Sequence, residues 1–167
     1  KRFGADADVR IPDRIKDGYG INDNIINEAA NDKISMIITC DNGIAAHSQM
    51  ELARKLEIKV IITDHHEVYQ EDGKDYLPVA SVVINPKRSE CKYPFKSICG
   101  ALVAYKLMEY MFERLYSKKM YEDGELSDLL EVAAIATIGD VMPLVDENRV
   151  LVKHGLKSLM NTKNLGL

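Results

Sequence analysis

Val60-Ile61-Ile62-Thr63-Asp64-His65-His66-Glu67 is an apolar, β-branched run that ends abruptly in an aspartate and two histidines. Such a run reads as a buried strand of the parallel-sheet kind, and the polar triplet at its tip reads as a chemical site. The same arrangement lies just upstream, where Met36-Ile37-Ile38-Thr39-Cys40 runs into Asp41-Asn42-Gly43. Two strand tips that each carry an aspartate point to an α/β fold with a metal site at one sheet edge.

Between the tips, Gly43 allows a tight turn, and Ala45 to Leu56 places Met50, Leu52, Ala53 and Leu56 on one helical face. Strand Ile34 to Cys40, this helix and strand Ile58 to Thr63 make a β-α-β unit. Crossovers of this length are nearly always right-handed and join parallel strands, which sit about 4.8 Å apart when adjacent. Asp41 and Asp64 are therefore expected at the same carboxyl edge, where open α/β sheets place their ligands.

Upstream, an Asn or Asp cap precedes a helix over Asn22 to Lys33 with Ile25, Ile26, Ala29 and Ala30 on one face. Downstream, Glu67 to Pro78 reads as a polar loop, and Val79 to Ile84 as a third strand ended by Asn85-Pro86. A loop, Lys87 to Lys96, leads to a long helix from Ser97 to about Leu115, closed by Lys118-Lys119. After Asp123-Gly124, the apolar stretch Leu126 to Ile138 is expected to be a helix packed deep against the sheet, and Glu147 to Met160 a last amphipathic helix. No repeat or linker divides the chain, so residues 1–167 are expected to form one α/β domain with a parallel sheet and helices on both faces.

A chain of 167 residues with 46% hydrophobic content can bury a substantial core. It has no apolar run near the roughly 18 residues that span a bilayer, and Lys1-Arg2-Phe3-Gly4 does not open a signal peptide, so a cytoplasmic protein with no membrane partner is expected. Cys40, Cys91 and Cys99 form no C-x-x-C pair, which excludes a disulfide framework or a structural zinc site of that kind; they are expected reduced and at least half-buried. A net charge of −4 argues against a broadly basic surface but leaves room for a local groove from Arg10, Arg14 and Lys16 or from Lys87, Arg88, Lys92 and Lys96.

Carboxylates and an imidazole on rigid strand ends suit Mn²⁺ best, with Mg²⁺, Co²⁺ or Zn²⁺ as alternatives. Asp140, in Ile138-Gly139-Asp140-Val141-Met142-Pro143, is a further candidate: buried in so apolar a setting it would need a cation, an arginine or backbone donors. Taken alone, Asp41-Asn42-Gly43 is more often a turn with a capping aspartate, and Asp140 can equally cap the stretch from Val141 onward. His47 and His154 read as surface or packing residues, and the lysines and arginines around Arg88 as a solvated loop. Two imidazoles beside an aspartate have few structural uses.

Thr63-Asp64-His65-His66-Glu67 resembles the signature of the DHH phosphoesterases. Ile11-Pro12-Asp13-Arg14 with Gly18-Tyr19-Gly20-Ile21, Thr39-Cys40-Asp41-Asn42-Gly43-Ile44, Ile98-Cys99-Gly100-Ala101, Ile138-Gly139-Asp140-Val141-Met142-Pro143-Leu144 and Glu147-Asn148-Arg149 narrow the resemblance to the RecJ-type single-stranded-DNA-specific exonucleases. It runs over essentially the whole chain. It implies a Rossmann-like DHH domain with Asp41, Asp64, His65, His66 and Asp140 as catalytic residues. Asp41 would be shared between two Mn²⁺ or Mg²⁺ ions, with His65 and Asp140 binding one of them. Asp64 would orient the imidazoles or sit at the edge of the metal shell, and His66 would face the scissile phosphate. Arg14, Arg88 and Arg149 are candidates for phosphate contacts, chosen by chemistry and position.

The resemblance further implies hydrolysis of single-stranded DNA from the 5′ end in repair or recombination, with single-strand-binding or replication proteins as partners. The family's Asp-x-Asp-Gly motif would fall upstream of Lys1, since Asp6-Ala7-Asp8-Val9 lacks both the glycine and the strand, and a nucleic-acid-gripping domain would lie downstream. The chain is therefore expected to be a truncated DHH domain with little or no activity alone. Two alternatives remain: a relative that cleaves oligoribonucleotides, cyclic dinucleotides or pyrophosphate, and a non-catalytic DHH-like module that binds nucleic acid or a replication partner.

Overall fold

Asn22 starts the first helix as the sequence suggests: its side chain accepts a hydrogen bond from the Ile25 backbone N–H at 3.0 Å, satisfying one of the helix's free donors. The computed structural model describes residues 4–116 and 126–167, so Lys118-Lys119 and Asp123-Gly124 lie outside the described residues. In chain order the elements are α1 (Asp23–Asn31), β1 (Met36–Cys40), α2 (His47–Lys55), β2 (Lys59–Thr63), β3 (Gln70–Glu71), β4 (Lys74–Asp75), β5 (Val82–Ile84), α3 (Gly100–Leu115), α4 (Ser127–Gly139) and α5 (Asp146–Leu159).

The expected parallel sheet is present, in the order β1-β2-β5. Cys40 stands opposite Thr63, and Thr63 opposite Ile84, so the strand tips are level. The ladder runs one residue past them: the Asp41 N–H donates to the Thr63 carbonyl at 2.9 Å, and the Asp64 N–H to the Ile84 carbonyl at 3.0 Å. Both aspartates thus leave the same edge on hydrogen-bonded backbone, as the β-α-β reading requires.

Helices cover both faces. On one, Ile26 and Ala29 of α1 and Met50 and Ala53 of α2 pack with Ile58, Val60 and Ile62. On the other, α3 lies against β1 and β2, and Leu102 and Val103 pack with Ala133 and Ala134 of α4 and Leu151 of α5. This corrects one expectation: α4 packs on α3 and α5 rather than deep against the sheet, and Val132, Ile135 and Ile138 remain exposed. Buried Glu131 ties the layer together by accepting hydrogen bonds from Ser158 Oγ and Thr162 Oγ1, each at 2.6 Å.

The segment read as a polar loop contains a small antiparallel hairpin, with Gln70 opposite Asp75. Asp72 and Gly73 both take positive φ, 49° and 74°, the backbone that an Asp-Gly hairpin turn demands. Tyr76 of the hairpin stacks on His47, with ring centroids 4.4 Å apart, which gives His47 its packing role. Cys40 is exposed rather than half-buried, Cys91 is intermediate and Cys99 buried, all three as free thiols. Among the described residues no helix is long and apolar enough to cross a membrane.

Ile62 is 0% exposed and Ile38, on β1, is 55% exposed. Ile62→Ala should therefore cost about 2–5 kcal/mol in urea unfolding, by lost burial and a cavity, and Ile38→Ala under about 1 kcal/mol. Equal costs would contradict this placement of the core.

Candidate metal centre

Asp41 takes a left-handed conformation, φ 63°, uncommon for a residue with a side chain. The surrounding turn over-determines it. Thr39 Oγ1 donates to the Asn42 carbonyl at 2.7 Å, Asn42 Nδ2 to the Cys40 carbonyl at 2.8 Å, and the Ile21 N–H to Asn42 Oδ1 at 3.1 Å. Tyr19 Oη adds a bond to the Asp41 carbonyl itself at 2.7 Å. Gly43 comes next at φ 112°. The strained backbone aims the Asp41 carboxylate at the start of α3, so close that a Cβ added at Gly100 would lie 2.3 Å from Asp41 Oδ1.

Asp64, 1% exposed, is a fully engaged buried carboxylate. Its Oδ2 accepts from the Ile44 N–H at 2.9 Å, and its Oδ1 accepts from the N–H groups of His65 and His66 at 2.7 and 3.2 Å. His66 Nδ1 lies 2.6 Å from the same Oδ1, which fixes the proton on Nδ1 and leaves Nε2 as the other ring nitrogen. Asp64 thus contacts the ring of His66 but only the backbone N–H of His65. Asn85, just past β5, donates to the His66 carbonyl at 3.0 Å and anchors the loop from the next strand.

His65 points the other way. Its Nε2 is 3.0 Å from Asp41 Oδ1 and 3.3 Å from Asp140 Oδ2, and Asp41, His65 and His66 offer ligand atoms that all lie within 4.8 Å of one another. Two atoms about 2.1 Å from an octahedral ion are about 3.0 Å apart, so the contacts of His65 Nε2 with Asp41 and Asp140, at 3.0 and 3.3 Å, suit the edges of one coordination shell. Asp41 Oδ1 is buried and faces His65 Nε2 at 3.0 Å, a donor only when that nitrogen carries a proton; with Nε2 unprotonated two lone pairs face each other, the situation a cation relieves. The donors present, carboxylates and imidazole, fit a divalent ion of the Mn²⁺ type. Asp140 differs from expectation in one respect: as the residue capping α4 it is 42% exposed, so nothing forces its neutralisation by burial.

The arginines are less convergent. Arg14 reaches the centre through one ring, its guanidinium carbon 5.7 Å from the centroid of Tyr19, which meets His66 edge-on at 5.9 Å. Arg88 instead donates from Nη1 to the Val83 carbonyl at 2.8 Å and lines a cleft of about 470 Å³ between β5 and α3 that includes none of Asp41, His65, His66 or Asp140. Arg149 is exposed on the first turn of α5. Other basic residues have local partners: Arg10 pairs with Asp8 at 2.7 Å, and Lys87 with Glu67 at 2.6 Å. Tyr19 stands in the sequence only as part of a motif; its aromatic character between two glycines is the signal for a role of its own. Partial burial, then the Asp41 and Asp64 carboxylates, push its ionisation up and keep it a donor.

The Asp41 contact raises the pKa of His65 above 6.5, burial opposes it, and the Asp140 and Asp64 carboxylates add to the rise. In the metal-free chain this contribution to stability is complete below the unfolded value of 6.5 and is lost as pH climbs through the higher folded value. Thermal melts should show wild type losing stability over that window relative to His65→Gln, and parallel pH profiles would contradict it. Gly100→Ala would place a methyl 2.3 Å from Asp41 Oδ1 and 2.5 Å from Asp41 Cβ, which rotation of the side chain cannot relieve, so it should lower Tm and also weaken Mn²⁺ binding about ten-fold in the folded chain, as read by the free-Mn²⁺ EPR signal. Unchanged binding would show that Asp41 is placed otherwise.

The family model for the DHH family, N-terminal domain, matches residues 1–137. The single-stranded-DNA-specific exonuclease RecJ of Bacillus subtilis (strain 168) is 42% identical over 168 residues, which take in 100% of this chain and 19% of that protein. RecJ of Escherichia coli (strain K12) is 35% identical over 160 residues, 93% of this chain and 27% of that protein. A crystal structure of exonuclease RecJ bound to manganese superimposes with a TM-score of 0.76 at 32% identity, covering 93% of this chain and 37% of that one. The chain thus spans 19% and 27% of the length of these two relatives. A family match over residues 1–137, together with an Asp-His-His strand tip that meets a second aspartate across a parallel sheet, establishes that the chain belongs to the DHH family.

Proposed function

We propose that this chain is a section of the catalytic domain of a RecJ-type exonuclease, which hydrolyses the phosphodiester bonds of single-stranded DNA from the 5′ end with Mn²⁺ as cofactor. The observation that carries the reading is the convergence of Asp41 and Asp140 on His65 Nε2 at the carboxyl edge of the sheet. Asp41, His65 and Asp140 would hold the ion, and His66 lies within reach of the same point. When bound, Mn²⁺ supplies Lewis acidity at the phosphate and makes water more acidic near neutral pH.

The protein's own groups account for the rest. Asp64 holds the His66 ring through Nδ1, which would leave Nε2 to face an oxygen of the scissile phosphate. Tyr19 holds the Asp41 backbone from the exposed side, next to Arg14, and that side offers a phosphate its approach. The remaining ligands, from an Asp-x-Asp-Gly motif, and the surface that grips the strand belong to other parts of the parent protein, in keeping with the 19% of the Bacillus relative that this chain matches. The parent would act in the cytoplasm in repair or recombination, with single-strand-binding or replication proteins as partners. A substrate of oligoribonucleotide or cyclic-dinucleotide size remains the second reading, because Arg10, Lys87 and Arg88 are engaged locally and lay no continuous basic track toward the centre.

Mn²⁺-dependent nucleotide release from 5′-labelled single-stranded DNA should be strong for the full-length parent and at background for this chain. Asp41→Ala and His65→Ala in the parent should each lower it by on the order of 10²-fold or more. Robust cleavage by this chain alone would overturn the proposed division of the site, and a parent that cuts dinucleotides but not long strands would favour the second reading.

A further inference from the structure

Asn148 is 0% exposed, in the first turn of α5, and both protons of its amide are used: Nδ2 donates to the Ser97 carbonyl at 2.7 Å and to the Pro143 carbonyl at 2.9 Å. Each accepting residue stands three positions from a residue of the centre. Ser97 precedes Gly100, whose backbone seats the Asp41 carboxylate. Pro143 lies beyond Asp140, whose Oδ2 faces His65. We infer that Asn148 is a positioning residue of the metal centre, one amide that clamps the segment behind Asp41 to the loop bearing Asp140 and so sets the spacing of the two carboxylates. This rests on the reading of Asp41, His65 and Asp140 as ligands.

The surroundings support a clamp rather than a passive filler. The preceding residue, Glu147, accepts from Tyr93 Oη at 2.5 Å and pairs with Lys106 Nζ of α3 at 2.8 Å, so the turn that carries Asn148 is itself held in place. A second link joins the same two segments, with Cys99 Sγ 3.4 Å from Thr137 Oγ1, and the Met142 N–H donates to the Thr137 carbonyl at 3.1 Å. Asparagine suits the joint because one planar group offers two donors to two carbonyls; aspartate offers none, and serine one.

The test uses the full-length parent, with Asn148→Ser, Asn148→Asp and Glu131→Gln as a buried control in the same helical layer. Mn²⁺ binding is read from the free-Mn²⁺ EPR signal, alongside the Mn²⁺ dependence of nuclease activity and Tm. Both Asn148 variants should raise the Mn²⁺ dissociation constant and the half-activating Mn²⁺ concentration about ten-fold, with kcat at saturating Mn²⁺ near wild type. Glu131→Gln should lower Tm and leave Mn²⁺ binding unchanged. Wild-type affinity in the Asn148 variants, or equal weakening by Glu131→Gln, overturns the inference. Wild-type Mn²⁺ binding by Asp41→Ala would instead overturn the reading of the centre beneath it. Should the Asn148 variants not fold, amide exchange on the wild type decides: Mn²⁺ should slow exchange in residues 96–103 and 138–145 together, and protection of one segment alone overturns the clamp.

Discussion

Everything at this edge of the sheet depends on the carboxylate of Asp64. An ionised side chain that is 1% exposed would be severely destabilising without partners, and here its oxygens take three backbone N–H groups and one imidazole N–H. The donors come from two places in the chain: Ile44, beyond the first strand tip, and His65 and His66, beyond the second. One buried anion therefore fixes both turns relative to each other and sets the direction of both histidine rings. A neutral asparagine would keep an acceptor on one side only, and an apolar residue would leave several backbone donors unpaired.

With the tips fixed, strain can be placed where it is useful. Asp41 holds a left-handed backbone at φ 63°, which the bonds from Tyr19, Thr39 and Asn42 keep from relaxing. Relaxation would swing its carboxylate away from Gly100 and from His65 Nε2, dispersing the negative charge. The turn thus spends backbone energy to gather lone pairs around one point, an arrangement that is unfavourable without a cation and favourable with one.

The part of this that the sequence discloses is the part dictated by periodicity and local chemistry. Continuous β-branched runs and their polar tips give the parallel strands and the shared edge of Asp41 and Asp64, and Asn22 gives the start of α1. The Asp72-Gly73 turn is readable in principle, but a hairpin of two-residue strands has too little alternation to stand out. Asp140 reads as buried because its neighbours are apolar; Ile138 and Val141 beside it are exposed, so an apolar sequence does not mean an apolar environment. Arg88 shows the converse. A lone arginine in a polar loop is indistinguishable in sequence from a phosphate ligand, and only its bond to the Val83 carbonyl reveals an edge-strand cap. Asn148 shows in the sequence only as part of the Glu147-Asn148-Arg149 run, and its role is unreadable there because its partners, 51 and 5 residues away, are backbone carbonyls with no sequence mark.

The two hydrophobic clusters explain why such a cross-link has consequences. The strand tips stand on the cluster of α1, α2 and β2, whereas Asp140 ends α4 in the cluster of α3, α4 and α5. The candidate metal centre lies at the seam between these layers and draws ligands from both. Small shifts of one layer on the other move Asp140 relative to Asp41 with little change in either core, so hydrophobic packing alone defines their separation loosely. Short-range contacts supply what packing does not: within the second layer the Asn148 amide and the Cys99–Thr137 contact tie the start of α3 to the loop bearing Asp140, and the seat of Asp41 on Gly100 carries that placement across the seam. A cation held by Asp41, His65 and Asp140 would be one more link across that seam, so metal binding and docking of the layers are coupled by the same geometry.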